Sequence, residues 1–249
     1  MKLLTVIGTS NSGKTTLIQG IIAELRRRRY TVGAVKEIHS ESFQADTPGK
    51  NSHRMAQAGA QPVTARGLEE TALFFRSKLP MHTIYSFYDS DYLIMEGVTE
   101  GPVPRIVCGH NRADLDARRD DLTMAFSGRV ADTMNTYKGL PVLHAHKQTV
   151  EIVDRIVERC FEMLPDFPAE CCSACGMTCH ELAARILQGS ASRADCRLDQ
   201  QDVVLTIDGQ PIAMVPFVQR LLKSTLTGLV KELRGFRPGK PLELRLSGK

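Results

Sequence analysis

Apolar positions open the chain as a short block at residues 3–7 and then thin into a stripe, with Leu17, Ile18, Ile21, Ile22 and Leu25 recurring at a helical period over 14–28. The block predicts a strand, and the stripe predicts a helix with one face on a sheet. Residues 31–35 read as a second strand. The polar run 36–51 contains Pro48-Gly49 and predicts a long loop, of a length that in compact domains is usually functional. A short helix is expected over 52–58, and strands over 62–65 and 71–75. The wholly apolar run Tyr92-Leu93-Ile94-Met95 ends at Glu96-Gly97, the signature of a buried parallel strand. Further strands are expected over 105–108, 123–127 and 141–143. An amphipathic helix is expected over 149–163, carried by Val150, Ile152, Val153, Ile156, Val157 and Phe161. Strands alternating with helices predict an α/β fold with a mainly parallel sheet flanked by helices.

The pattern changes at 164–170, where Pro165 and Pro168 interrupt it. A cysteine-rich segment follows. Beyond it, residues 203–207, the turn pair Asp208-Gly209 and residues 211–215 predict a hairpin. A helix should begin near Pro216, with Phe217, Val218, Leu221, Leu222, Leu226, Leu229, Val230 and Leu233 as its stripe. Residues 242–246 alternate and predict a last strand. The expected organisation is a nucleotide-binding domain over 1–165, a metal-cluster segment over 166–200 and a small ββαβ unit over 201–249, the last two making a small C-terminal cysteine-rich α+β domain.

Between the first strand and the first helix stands Gly8-Thr9-Ser10-Asn11-Ser12-Gly13-Lys14-Thr15, the G-x-x-x-x-G-K-T pattern of a P-loop. A strand that delivers such a loop and a helix that leaves it converge successive backbone N–H groups on phosphates. Gly8 and Gly13 permit the tight path. Lys14 reaches the β- and γ-phosphates, and Thr15 places a hydroxyl on Mg²⁺. Asn11, Ser12 and Thr16 complete the candidate cradle of a P-loop NTPase. The metal also needs a carboxylate at the end of a neighbouring strand. Glu96 stands there, whereas Asp91 opens the same run and belongs at the wrong end. Asp46, in the long loop, is a second candidate for metal or water positioning. The chain has no N-K-x-D stretch to read guanine. His144-Ala145-His146-Lys147 follows a strand and is either near the base or a surface loop. The loop chemistry alone suits GTP and ATP equally.

Apolar residues make up 42% of the chain, enough for a real core, and the net charge of +4 is thinly spread. Arg26 to Arg29 close the first helix, where cations suit the dipole, so they do not mark a nucleic-acid surface. No apolar run is long enough to span a bilayer, and the first residues form a strand rather than a signal peptide. A cytoplasmic location is expected.

Five of the seven cysteines, Cys171, Cys172, Cys175, Cys179 and Cys196, fall within 26 residues, while Cys108 and Cys160 stand alone. In a reducing compartment such a group points to metal before disulfide. Cys172, Cys175 and Cys179 lie on one tight loop around Gly176, and Cys196 returns after a helix expected over 181–187. Three thiolates on a loop and a fourth on the returning chain suit a [4Fe–4S] cluster. Zn²⁺ is the alternative, although it usually takes two C-x-x-C knuckles. Cys171 points away from its neighbour or substitutes for Cys172. His180 reads as a helix-start residue.

Taken in order, the P-loop, Lys36, Asp46-Thr47-Pro48-Gly49-Lys50-Asn51-Ser52, Ala58-Gly59-Ala60 and the apolar run ending Glu96-Gly97 resemble the MobB family of molybdopterin-guanine dinucleotide biosynthesis adapter proteins, over roughly residues 1–165. Where that family carries a Lys-His and a His-His pair, this chain has Lys36-Glu37 and Ser40-Glu41, and Asn51 stands where the family has Asp. The resemblance implies a GTP-binding homodimer with slow hydrolysis. Its partner would be a molybdopterin guanylyltransferase or a molybdoenzyme. Lys14 and Glu96 would be the catalytic pair; Gly8, Asn11, Ser12, Gly13, Thr15, Thr16 and Asp46 would complete the nucleotide site, with Thr15 and Glu96 on the metal. The cysteine segment, with Leu182-Ala-Ala-Arg-Ile-Leu-Gln-Gly189 inside it, resembles the small [4Fe–4S] domain of Rnf-type electron-transport proteins and of corrinoid iron–sulfur proteins. The contrasting expectation is a P-loop ATPase that acts as a metallochaperone or electron-transfer partner.

Overall fold

A computed structural model describes residues 1–167, 172, 174–199, 203–207, 210–212, 214–234, 236–237 and 242–244. The chain divides into two compact units, Met1–Met163 and Leu164–Lys249. In the first, β1 (Lys2–Gly8), α1 (Lys14–Arg27), β2 (Val32–Lys36), α2 (Asn51–Gln57), β3 (Val63–Arg66), β4 (Thr71–Phe74) and α3 (Met81–Tyr85) come in succession. Then follow β5 (Tyr92–Glu96), β6 (Arg105–Cys108), α4 (Arg112–Asp116), β7 (Thr123–Ser127), β8 (Thr136–Tyr137), β9 (Leu140–Pro141) and α5 (Thr149–Arg159). One sheet runs β2-β5-β1-β6-β7, with every neighbouring pair parallel. This is the mainly parallel α/β architecture that the alternating pattern predicts.

Side chains alternate across this sheet. Leu3, Leu93 and Met95 pack with Met81 of α3, and Ile7, Val107 and Phe126 with Leu115 of α4 and Val130. Leu4, Val6 and Ile94 are equally buried, as are Leu17, Ile21 and Leu25 on the inner stripe of α1. α1 also packs on α5, and a Cβ on Gly20 would stand 3.3 Å from the Thr149 methyl. Arg28 clamps the two helices, holding Asp154 at 2.7 Å and Glu24 at 2.8 Å.

Glu24 accepts from both Arg27 and Arg28, and these bonds hold its carboxyl down at about 2. A carboxyl depressed in the folded state stabilises it above the unfolded pKa and loses that contribution as pH falls through the folded value. Wild-type melting temperature should therefore fall between about pH 5 and 2, and the Glu24→Gln variant should show a shallower fall across the same window. Parallel pH profiles would exclude this role.

Several elements differ from expectation. The helix expected over 149–163 stops at Arg159, because Cys160 turns extended and Glu162 bridges Lys2 antiparallel at the sheet. β3 and β4 pair with each other as a separate hairpin and not with the main sheet. The strand expected over 141–143 is only partly one: Val142 bridges Phe126 beside β7, while Leu140–Pro141 pairs with β8. Helices α3 and α4 have five residues each, too few to show a period in the sequence.

In the second unit, α6 (Cys179–Leu187) starts at a capping box between Thr178 and Glu181 and buries Leu182, Ala183, Ala184 and Leu187. β10 (Leu205–Ile207) and β11 (Gln210–Ile212) form the expected antiparallel hairpin, whose turn pair lies outside the described residues. α7 (Pro216–Val230) begins on proline as expected. The expected last strand is not formed at 242–244, and 245–246 lie outside the described residues, so no ββαβ unit is completed among the described residues.

Candidate nucleotide site

The P-loop leaves the carboxyl end of the central strand, where ligands of open α/β sheets bind. Its path is set by its neighbours. A Cβ on Gly8 would fall 2.1 Å from the Cys108 carbonyl oxygen on β6. Gly13 is left-handed at φ 98 and opens α1, and Asn11 is left-handed at φ 58. Ser12 is fully buried, and its hydroxyl donates to the Thr9 carbonyl at 2.9 Å. Gly128, just after β7, closes the other flank: a Cβ there would stand 2.4 Å from the Ser12 carbonyl oxygen.

Lys14 folds back over this loop, its ammonium donating to the carbonyls of Thr9 at 2.7 Å and Gly8 at 3.2 Å. Thr15 donates its hydroxyl to Glu96 Oε2 at 3.0 Å, and Lys36 donates to Glu96 Oε1 at 2.8 Å. Parallel register brings Glu96 here: it sits beside Val6 on β1 and Lys36 on β2. Partial burial pushes the Glu96 carboxyl up. The hydrogen bonds from Lys36 and Thr15, with the charges of Lys36 and Lys14, outweigh burial and hold it below the usual range. Lys14, Thr15 and Glu96 are thus brought together on the loop, with Thr16 exposed one position on. A hydroxyl and an ionised carboxylate 3.0 Å apart, both hard oxygen donors, suit a magnesium ion. Asp91 stands at the opposite end of β5, accepting from the Thr31 amide and hydroxyl. Asp46 Oδ1 accepts from the Thr47 amide and the Ser52 hydroxyl, tying the long connection to the start of α2.

Two groups that the motif reading missed brace the loop. Asp114 Oδ2 accepts from the Thr9 hydroxyl at 3.2 Å and the His110 amide at 2.9 Å. The His110 ring lies 3.0 Å from the Ser10 carbonyl. The His110 amide holds the Asp114 carboxyl below its usual range against the opposing cost of burial, with further help from the Thr9 hydroxyl. The available signal was Asn111-x-x-Asp114 directly after a strand, since Asn111 caps α4 by accepting from the Asp114 amide.

The lone cysteines, Cys108 and Cys160, are buried, and burial pushes both thiols up to about 12. In the second unit, Cys172, Cys175, Cys179 and Cys196 are all free thiols, while Cys171 lies outside the described residues. The Cys179 thiol is raised by burial, partly offset by backbone N–H groups of Phe167 and Asp166, and it senses Cys196. Cys175 donates to the Met177 carbonyl at 3.5 Å. The four sulfurs are the right donors for iron–sulfur or zinc. Among the described residues, however, no three His, Cys, Asp or Glu side chains are gathered as a metal would need. His180 is exposed in the first turn of α6.

Comparison with known proteins places this site in a family. The model of "Molybdopterin guanine dinucleotide synthesis protein B" (MobB) matches residues 3–126. A Bacillus subtilis protein described as a probable molybdopterin-guanine dinucleotide biosynthesis adapter is 31% identical over 147 residues, 57% of this chain and 85% of its own length. The chain belongs to the MobB family. The crystal structure of Bacillus subtilis MobB matches 65% of this chain and 99% of its own, with a TM-score of 0.55 at 28% identity. A putative adapter of the same description from Methanocaldococcus jannaschii is 24% identical over 253 residues, 99% of this chain and 97% of its own. Similarity to that Methanocaldococcus jannaschii protein therefore extends over nearly the whole chain. Among the described residues, no helix is long and apolar enough to cross a membrane.

Proposed function

We propose that this chain is a GTP-binding accessory protein of molybdopterin guanine dinucleotide biosynthesis, acting on a molybdopterin guanylyltransferase or a molybdoenzyme. The observation that carries the reading is the Lys14–Thr15–Glu96–Lys36 constellation on the P-loop of a MobB-family chain. Magnesium, when bound, neutralises charge across the β- and γ-phosphates. Thr15 and Glu96 hold that ion, directly or through its water. Lys14 exchanges the Gly8 and Thr9 carbonyls for phosphate oxygens, and backbone N–H groups from Gly8 to Thr16 orient the chain of phosphates. Lys36, paired with Glu96 Oε1, would supply a second cation beside the γ-phosphate. Both Glu96 oxygens are engaged in holding partners, so the carboxylate does not serve as a general base for water. Hydrolysis is accordingly slow, and occupancy is the signal. Nucleotide binding reshapes the long connection that follows Lys36, altering the surface offered to the partner in a cytoplasmic homodimer.

The segment 166–200 we read as a thiolate-ligated module, [4Fe–4S] in preference to Zn²⁺. Its support is the spacing Cys172-x-x-Cys175-x-x-x-Cys179 with Cys196 returning after α6, and four free thiols. No step at the nucleotide passes through it. Calorimetry on the full chain tests the first reading: Mg-GTP should bind with magnesium dependence, and absence of heat with either GTP or ATP would end it. Anoxic purification with iron, zinc and sulfide analysis tests the second. Wild-type protein should carry bound metal, and Cys175→Ser should lose it while keeping wild-type GTP affinity. Metal-free wild-type protein would remove the module, and joint loss of metal and nucleotide binding would show that the two units are not independent.

A further inference from the structure

The nucleotide reading leaves the base without a reader, and the sheet supplies one. Thr15, Glu96 and Lys36 mark the metal and γ-phosphate end of the site, on the β5–β2 side of β1. The nucleoside must therefore leave the loop on the opposite flank, over β6 and β7. On that flank Gly128 packs against Gly13 and the Ser12 carbonyl, and the turn Arg129–Asp132 follows it directly. Residues 142–143 lie next to β7 as one more strand position: Leu143 donates its amide to the Phe126 carbonyl, and Ser127 donates its hydroxyl to the Leu143 carbonyl at 2.6 Å. Two loops, 129–132 and 144–148, thus stand side by side at the carboxyl edge of the sheet.

Their facing groups form an ordered pair. His144 Nδ1 accepts from the backbone amides of His146 and Lys147 at 3.2 and 3.4 Å. An Nδ1 that accepts places the proton of the neutral ring on Nε2. Nε2 lies 3.3 Å from Asp132 Oδ1. The second loop is itself fixed, since the Gln148 side chain accepts from the His144 amide and Thr149 donates to the Ala145 carbonyl. His144 therefore stands within reach of one oxygen of a carboxylate whose side chain is 62% open to solvent.

We propose that Asp132, positioned by His144, reads guanine. A guanine edge presents two donors, N1–H and the 2-amino group, which a carboxylate accepts together. Adenine presents an N1 acceptor there, and its lone pair faces the carboxylate. The pair thus supplies the discrimination that the P-loop does not, by rejecting the wrong base as well as bonding the right one. Asp132 is the specificity residue, and His144 is a positioning residue that touches the base only through it. The inference rests on nucleotide binding at the P-loop.

The test is calorimetry on full-length wild type and Asp132→Asn with Mg-GTP, Mg-ATP, Mg-XTP and magnesium tripolyphosphate. Wild type should prefer GTP to ATP and XTP. In Asp132→Asn, GTP affinity should fall by about tenfold or more, while XTP affinity rises, because an amide donates to the 2-oxo group of xanthine and accepts from N1–H. Tripolyphosphate affinity should not change, which also reports that the variant is folded. An unchanged GTP-to-XTP ratio, or equal binding of GTP and ATP by wild type, would overturn the assignment while leaving the P-loop reading intact. Failure of wild type to bind any of the four ligands would overturn both.

Discussion

Lys14→Ala should lower Mg-GTP affinity by about a hundredfold or more, since truncating one partner of a desolvated, hydrogen-bonded charge pair costs about 2–5 kcal/mol. The fold should survive. The Lys14 ammonium bonds only loop carbonyls, those of Gly8 and Thr9, and no carboxylate depends on it as an ion-pair partner within the reach of a salt bridge among the described residues. The loop path is set instead by backbone contacts with Cys108 and Gly128, which the substitution does not touch. Urea denaturation should therefore give a midpoint close to that of wild type while calorimetry loses the nucleotide. If GTP affinity stays within threefold of wild type, the loop does not hold phosphates through this lysine. A shared loss of stability and binding would instead mean that the lysine braces the loop.

This contrast between charge and path explains how far the sequence carries. Five parallel strands, the loop between β1 and α1, and Glu96 at the end of β5 follow from local rules. Each needs only an apolar block, a period or a glycine spacing within a few residues. What escapes is non-local. β3 and β4 have strand composition, but nothing in their residues says that they pair with each other and not with the central sheet. Thr9 looks like a variable position in the motif until Asp114, 105 residues away, accepts its hydroxyl. Asp132 and His144 are ordinary polar residues until the strand position at Val142 sets their loops side by side. Asp46 shows another kind of ambiguity. Its place in a long polar connection suggests metal chemistry, and the structure uses its carboxylate to anchor the start of a helix. The cysteine spacing advertises a metal module, but spacing states which donors are available, not how the backbone gathers them.

Gly128→Ala should be severely damaging, although Gly128 lies outside the motif. Two costs combine there. The backbone sits at φ 94, ψ −159, a region that alanine enters only with strain of about 1–3 kcal/mol. The new methyl would also stand 2.4 Å from the Ser12 carbonyl oxygen and 2.9 Å from the Gly109 carbonyl oxygen, both of them backbone atoms that cannot rotate away. Overpacking against rigid neighbours adds about 1–3 kcal/mol. Relief requires Ser12 to move, which turns the amides at the turn into α1 away from the phosphates. The variant should lose about 3 kcal/mol or more of unfolding free energy and most of its GTP affinity. Gly139→Ala isolates the first cost: that residue is also left-handed, at φ 79, but a Cβ there meets nothing within 4 Å. It should lose only about 1 kcal/mol and bind GTP as wild type does. Denaturant midpoints and calorimetric affinities for the two variants decide the matter. Equal losses of stability with both retaining GTP would mean that backbone conformation alone makes the glycine necessary, and that β7 does not shape the phosphate cradle.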